Sequence, residues 1–240
     1  MLYPGANILA ATKEDFAKDK RRELTSRIAT GNWDAVIVTH SGFEKIPLSE
    51  KYQSNVIQEQ LDELEKVLQE LGDDPDERRT VKQLESAKKK LETKLESLAD
   101  NDRKDNTLSF EELGVDRVFV DEAHYYKNLF YISKMTRIAG LPQTASARAF
   151  DMYLKTRYIQ EINGGGGVVF ATGTPIANSV AEMFTMQRYL QMGTLRKQSV
   201  HHFDNWAATF GEAVTAMELS PDGGGYRLNT RFARFVNVPE

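Results

Sequence analysis

Cysteine is missing from all 240 residues, which excludes a disulfide framework and any thiolate metal site. The four histidines are too scattered to suggest a metal cluster. No stretch approaches the ~20 consecutive apolar residues of a membrane span. The start, Met1-Leu2-Tyr3-Pro4-Gly5, lacks the basic residues and apolar run of a signal peptide. These absences predict a soluble chain of the reducing cytoplasm, with no membrane partner. Basic charge is scarce too. A net charge of −4 argues against holding nucleic acid by bulk basicity. The sum hides an asymmetry, because residues 50–100 carry fourteen acidic and nine basic side chains, net −5, and the remainder is at +1.

What is present points to an α/β fold. A hydrophobic content of 40% at this length buries a sizeable core, in one large domain or one domain with an insertion. Asn7 to Ala11 is a short apolar run, Glu14 to Thr30 has helical composition closed by Gly31-Asn32, and Ala35 to Thr39 is β-branched. After residue 100 the rhythm returns with Arg117 to Val120, a helical segment from about Ala145 to Ile162, and Val168 to Thr172. Continuous apolar runs without alternation suit strands buried on both faces, as in a parallel sheet covered by helices.

Between these blocks the pattern changes. Ile57, Leu61, Leu64, Leu68 and Leu71 recur at steps of four and three, and Val81, Leu84, Lys88, Leu91, Leu95 and Leu98 repeat the rhythm. Gly72-Asp73-Asp74-Pro75-Asp76 separates two amphipathic helices with a C-terminal glycine and a proline that cannot continue the first. An antiparallel hairpin over 50–100, inserted into a domain made of 1–49 and 101–200, is the simplest arrangement. One long coiled coil is the alternative. The hairpin is expected to project and to offer a surface to a protein partner or the substrate, while its Lys88-Lys89-Lys90 run reads as a solvated face amid acidic neighbours. The tail, 201–240, with Trp206, Phe210, Phe232 and Phe235 and a break at Gly223-Gly224-Gly225, reads as short helices and loops.

Two segments carry chemistry. Val118-Phe119-Val120 runs into Asp121-Glu122, which puts two carboxylates at the C-terminal end of an apolar strand, where open α/β sheets bind ligands. An aspartate there suits Mg²⁺ against nucleotide phosphates, and an adjacent glutamate can orient or deprotonate the attacking water. A bare acidic pair is more simply a solvated turn, but Ala123-His124 and Lys127-Asn128 crowd polar groups just beyond it. The second segment, Ala171-Thr172-Gly173-Thr174-Pro175-Ile176-Ala177-Asn178-Ser179, joins hydroxyls, a permissive glycine and a helix-starting proline. Alone it is a strand-to-helix turn with a good cap. Beside the acidic pair it becomes a second active-site loop.

Together these segments resemble the superfamily 2 helicases and translocases, in particular the Swi/Snf-related translocases of double-stranded DNA, over almost the whole chain outside the hairpin. Asp121-Glu122-Ala123-His124 resembles the Walker B or DEAH motif, with Tyr125-Tyr126-Lys127-Asn128 similar to its Swi/Snf extension. Thr172-Gly173-Thr174-Pro175-Ile176-Ala177-Asn178 is similar to the block that couples hydrolysis to DNA movement. The resemblance implies an incomplete RecA-like parallel sheet and an enzyme that uses ATP and Mg²⁺. It implies Mg²⁺ at Asp121, water at Glu122, and a contact from His124 to the Thr172-Gly173-Thr174 loop, with Pro175 and Asn178 in the coupling block. Ile8 to Thr12 and Trp33 to Phe43 look like the strands whose ends face DNA. The DNA-facing candidates are therefore Thr12, Thr39, His40, Ser41, Lys127 and Asn128, with a cap or turn role the alternative for Thr12, Thr39 and Ser41. The stretch from Trp33 to Ser49 also looks like the helicase and methyltransferase fusion proteins of phages and mobile elements, which would place the parent on foreign or mobile DNA.

The chain departs from this pattern in one respect. No Gly-x-x-x-x-Gly-Lys-Ser/Thr occurs in it, and Gly164-Gly165-Gly166-Gly167, with no lysine after it, reads as a flexible connector. The expectation is that the chain starts just after the phosphate loop and ends before a second lobe that would bring an arginine finger. The isolated chain is then expected to be inactive. The rival readings are a non-hydrolysing remnant that binds nucleic acid or acts as a protein scaffold, and an RNA helicase.

Overall fold

The computed structural model describes residues 4–72, 77–101, 107–135, 138–139, 146–177, 179–219 and 224–237. In chain order β1 (Ile8–Ala10) leads through turns into helix α1 (Arg21–Thr30), then β2 (Ala35–Ile37) and the single-turn α2 (His40–Phe43). The long helices α3 (Glu50–Leu71) and α4 (Arg78–Asn101) follow, then β3 (Val118–Val120) and the short β4 (Ile138–Ala139). Helix α5 (Ala147–Ile162), β5 (Val168–Phe170), α6 (Ala181–Leu190), α7 (Met192–Lys197) and α8 (Phe203–Phe210) come next, and β6 (Gly211–Leu219) and β7 (Tyr226–Phe235) end the order.

The fold is mixed α/β, and among the described residues β1–β2 and β3–β5 form two separate parallel pairs in place of one sheet. β1 runs beside β2, with Leu9 opposite Val36, and β3 runs beside β5, with Phe119 opposite Val169. Nor are both faces covered. Leu9, Val118 and Val120 point into the main core, whereas Phe119 is 74% exposed, Ile37 58%, Val169 49% and Ile8 46%. The apolar runs therefore overstate burial: among the described residues helices cover one side of each pair, so the alternate side chains face outward.

Helix α1 starts at Arg21, seven residues later than composition implied, because residues 13–20 are taken up by successive turns. The glycine run after α5 is a shaped turn and not a slack connector. Gly167 has φ +89, and an added Cβ would sit 2.8 Å from Ile159 Cγ2 and 3.1 Å from the Asp116 carbonyl, so only glycine passes there.

Helices α3 and α4 form the expected hairpin, with Ser49 capping α3 through the Tyr52 amide and Gly72 closing it at φ +55. The turn residues 73–76 lie outside the described residues. Lys88, expected in the apolar stripe, instead reaches across to Glu65 at 2.7 Å. The expectation of a projecting hairpin is corrected. Val56, Ile57 and Leu61 belong to the main core, with Leu91, Leu95 and Leu98 packed on it. Glu59 takes a two-pronged bond from Arg157 of α5, Glu63 meets His202, and Glu70 meets Lys134. Three acidic positions spaced along one face of α3 thus bind the body, and docking uses up that face of the hairpin.

The tail is also corrected. After α8 it forms a β-hairpin in which β6 pairs antiparallel with β7, and β4 joins the far edge of β7 in parallel. Its aromatics pack with α6 and Tyr131 in a second core around Phe184, Phe203, Trp206 and Phe232. Period-two alternation was present in the sequence, since Ala213, Thr215, Met217 and Leu219 face Phe232, Thr230, Leu228 and Tyr226.

Candidate functional site

The carboxyl ends of β3 and β5 meet. Parallel pairing brings Val120 level with Phe170, the Ala171 amide donates to the Val120 carbonyl at 2.8 Å, and the Ala123 amide donates to the Ala171 carbonyl at 3.0 Å. Asp121 and Glu122 fill the turn between, both exposed. The Glu122 amide donates to Asp121 Oδ1 at 2.9 Å, and no hydrogen bond to Oδ2 exists among the described residues. Glu122 itself sits at φ 49, ψ 44, a left-handed conformation that costs a residue with a Cβ of order 1 kcal/mol and persists where neighbours enforce it.

His124 opens outward from the single 3-10 turn Ala123–Tyr126 that follows. Its Nδ1 lies 3.1 Å from Glu122 Oε2 and 3.3 Å from Thr172 Oγ1, so one ring nitrogen bridges the two strand ends. The Thr172 hydroxyl also accepts from the Thr174 amide at 3.1 Å, which shapes the loop around Gly173. Gly173, Thr174 and Pro175 are exposed, and Asn178 lies outside the described residues. Lys127 turns inward to Glu182 at 3.0 Å, and that carboxylate also accepts from the Ala177 amide, so Lys127 ties the acidic turn to the end of the second loop. Asn128 is exposed and gives its carbonyl to the Ser146 amide.

At the other pair of strand ends the hydroxyls are held locally. Thr12 donates its amide and its hydroxyl to Asp15 Oδ2, at 2.7 and 2.8 Å, which holds the Asp15 carboxyl below its usual range. Thr39 caps α2 by accepting from the Gly42 amide at 3.1 Å, and its hydroxyl lies 3.4 Å from that of Ser41. His40 departs from this pattern by placing Nδ1 2.7 Å from the Tyr126 hydroxyl.

The donor set at the acidic turn fits Mg²⁺, which takes one or two carboxylates, keeps several waters and completes its shell from phosphate oxygens. Among the described residues no group of three or more histidines and acids could hold a metal. Two residues the sequence did not mark carry much of the geometry. Tyr126 lies within the Tyr125-Tyr126-Lys127-Asn128 extension, and its hydroxyl is the one local signal of its role. Glu182 sits 55 residues from Lys127, and nothing local announced the pairing.

A family model described as a probable helicase domain matches residues 1–240. The chain is 33% identical over 106 residues to the "Defense against restriction protein B" of Escherichia phage P1, a match that spans 43% of this chain and 5% of the phage protein. No solved structure matches. No described helix is long and apolar enough to cross a membrane.

Proposed function

We propose a motor function from the premise that this chain belongs to the probable helicase domain family. In this reading residues 1–240 are part of an ATP-driven translocase on double-stranded DNA, a RecA-like lobe of DEAH type related to the Swi/Snf translocases. The observation that carries it is the position of His124, with one nitrogen within reach of both Glu122 and Thr172. A carboxylate that handles water and a loop that senses movement need such a shared contact.

Asp121 would hold Mg²⁺, which when bound would offset the charge on the nucleotide phosphates. Glu122 orients the attacking water and takes its proton, and His124 keeps that carboxylate turned toward the Thr172 loop. Thr39 and Ser41 present hydroxyls and turn amides to phosphates of the duplex, contacts that position DNA without reading its sequence, whereas Thr12 has given both its donors to Asp15 and serves as a turn residue. The 33% match to a phage protein supports a parent that acts on foreign or mobile DNA. Residues 1–240 contain no Gly-Lys-Ser/Thr phosphate loop, so the motor needs that loop from elsewhere and this chain alone turns over ATP negligibly.

The test is DNA-stimulated phosphate release by the full-length gene product. Glu122→Gln is expected to lower it by about 100-fold or more while duplex binding persists, the loss typical of a missing general base. Unchanged release would remove the assignment of Glu122. The missing phosphate loop also favours a second reading, a non-hydrolysing scaffold. Full-length protein that binds DNA yet never hydrolyses ATP would establish it.

A further inference from the structure

Tyr126 stands at the junction of the two strand-end regions. It is 1% exposed and ends the 3-10 turn that begins immediately after Glu122. Its hydroxyl meets His40 Nδ1 at 2.7 Å across 86 residues of sequence, and the two rings lie 5.6 Å apart. The buried Tyr189 hydroxyl lies 2.8 Å from the Ala149 carbonyl of α5 and 3.1 Å from the Tyr126 carbonyl, its one proton shared between the two acceptors. Tyr126 is thus held at both ends, by His40 outside and Tyr189 beneath.

A second, ring-based link runs parallel to it. His40 meets Tyr125 edge-on at 5.5 Å, Tyr125 lies 4.6 Å from the His124 ring, and His124 reaches Glu122 and Thr172. The far end of the His40 turn is fixed by Lys155, whose ammonium donates to the Phe43 carbonyl at 2.6 Å. With the Phe43 end pinned, displacement at Thr39 and Ser41 passes through His40.

We infer that Tyr126 is a positioning residue that couples the Thr39–Ser41 turn to the acidic strand end, so that a duplex held at the turn sets the geometry of Asp121 and Glu122. The inference rests on the motor reading and adds to it the direction DNA to nucleotide site, distinct from the His124–Thr172 contact. A phenylalanine would fill the same buried volume, so what the hydroxyl adds is a directional bond. Burial pushes its pKa up to about 12, which keeps it protonated and bonded to His40 at physiological pH. Glu122 supplies an element able to respond. Its left-handed backbone is held by the turn that Tyr126 anchors, and coupling needs such a segment with two accessible arrangements.

Hydrogen exchange read by mass spectrometry on the full 240-residue chain, with and without a 20-base-pair duplex, tests this. In the wild type the duplex is expected to slow exchange over 39–43 and, by about tenfold, over 122–127, the scale set by one hydrogen bond to a buried partner. Tyr126→Phe is expected to keep the effect at 39–43 and lose it at 122–127. Tyr189→Phe, which removes the hydroxyl under the Tyr126 carbonyl, repeats the test should Tyr126→Phe lose its helical circular dichroism. Basal loosening alone would not remove a duplex-dependent difference from one segment and spare the other. Protection confined to 39–43 in the wild type, or transmitted equally in Tyr126→Phe, overturns the coupling and leaves the DNA-facing reading intact. Absence of protection at 39–43 overturns that reading, and the coupling with it.

Discussion

The two parallel strand pairs have the same construction and hold their loops by opposite means. Each consists of three-residue strands with polar residues at the carboxyl ends. At β1 and β2 those residues close on their own neighbours, Thr12 on Asp15 and Thr39 on Gly42. At β3 and β5 they bond across elements, His124 to Thr172 and Lys127 to Glu182. A locally closed loop keeps its shape without help, whereas a cross-linked one registers any shift between the strands that bear it. The second arrangement suits a site whose parts must report on each other. The first suits a passive cradle, tied to the second through His40.

Below the cradle lies its anchor, and removing that anchor should give the largest effect. Lys155 is fully buried, donates to the Phe43 carbonyl and to Asp151 Oδ2 at 2.7 Å, and lies 4.3 Å from the centre of the Phe43 ring. Burial lowers the Lys155 pKa and raises that of Asp151, while each charge steadies the other. Lys155→Met keeps the stem but leaves the Phe43 carbonyl and Asp151 without their shared donor. A loss of about 3 kcal/mol in urea denaturation is expected, at the low end for a broken buried pair because Asp151 is partly exposed. A loss under about 1 kcal/mol would mean that the cradle stands without its anchor and that the contrast is purely local.

A smaller effect tests how tightly the cradle is seated. Gly42 backs onto buried Phe16, and a Cβ there would meet the ring at 2.5 Å from its Cε2. Gly42→Ala is expected to cost about 2 kcal/mol through overpacking and to lower the melting temperature by several degrees, since Phe16 is enclosed and cannot swing away. The corresponding Gly173→Ala in the cross-linked loop meets open space and should be nearly neutral. Equal melting temperatures for the two variants would erase the difference in seating.

The sequence made one of these ends far more legible than the other. Asp121, Glu122, His124 and Thr172 stand in short blocks whose residue types limit the chemistry, and the structure puts Glu122, His124 and Thr172 within bonding distance. The strands that carry them were readable as apolar runs, and so was the hairpin from its heptads. What joins the parts was not readable. Glu182, Lys155 and Tyr189 act across 40 to 112 residues, and no local pattern encodes a partner at such separation. The tail was illegible for a different reason: alternation in β6 and β7 is diluted by Ala and Thr, so no period stands out beside the large aromatic residues. Burial of one face alone is not encoded locally either, because an apolar triplet looks the same whether one or both of its sides are covered.

The smallest effect separates capping from any direct grip on DNA. Thr39 Oγ1 accepts from the Gly42 amide, so Thr39→Ala forfeits a cap worth about 1 kcal/mol, while Thr39→Ser keeps the acceptor. If the cradle is passive, stability and duplex affinity follow the same order, with the serine variant close to wild type in both and the alanine variant reduced in both. A hydroxyl that grips phosphate in its own right behaves otherwise. The alanine variant would then bind duplex more weakly than its lost stability explains. Titration of a fluorescent duplex, beside urea melts of the same three proteins, distinguishes the outcomes, because a lost cap moves affinity and stability together and a lost phosphate contact moves affinity beyond stability.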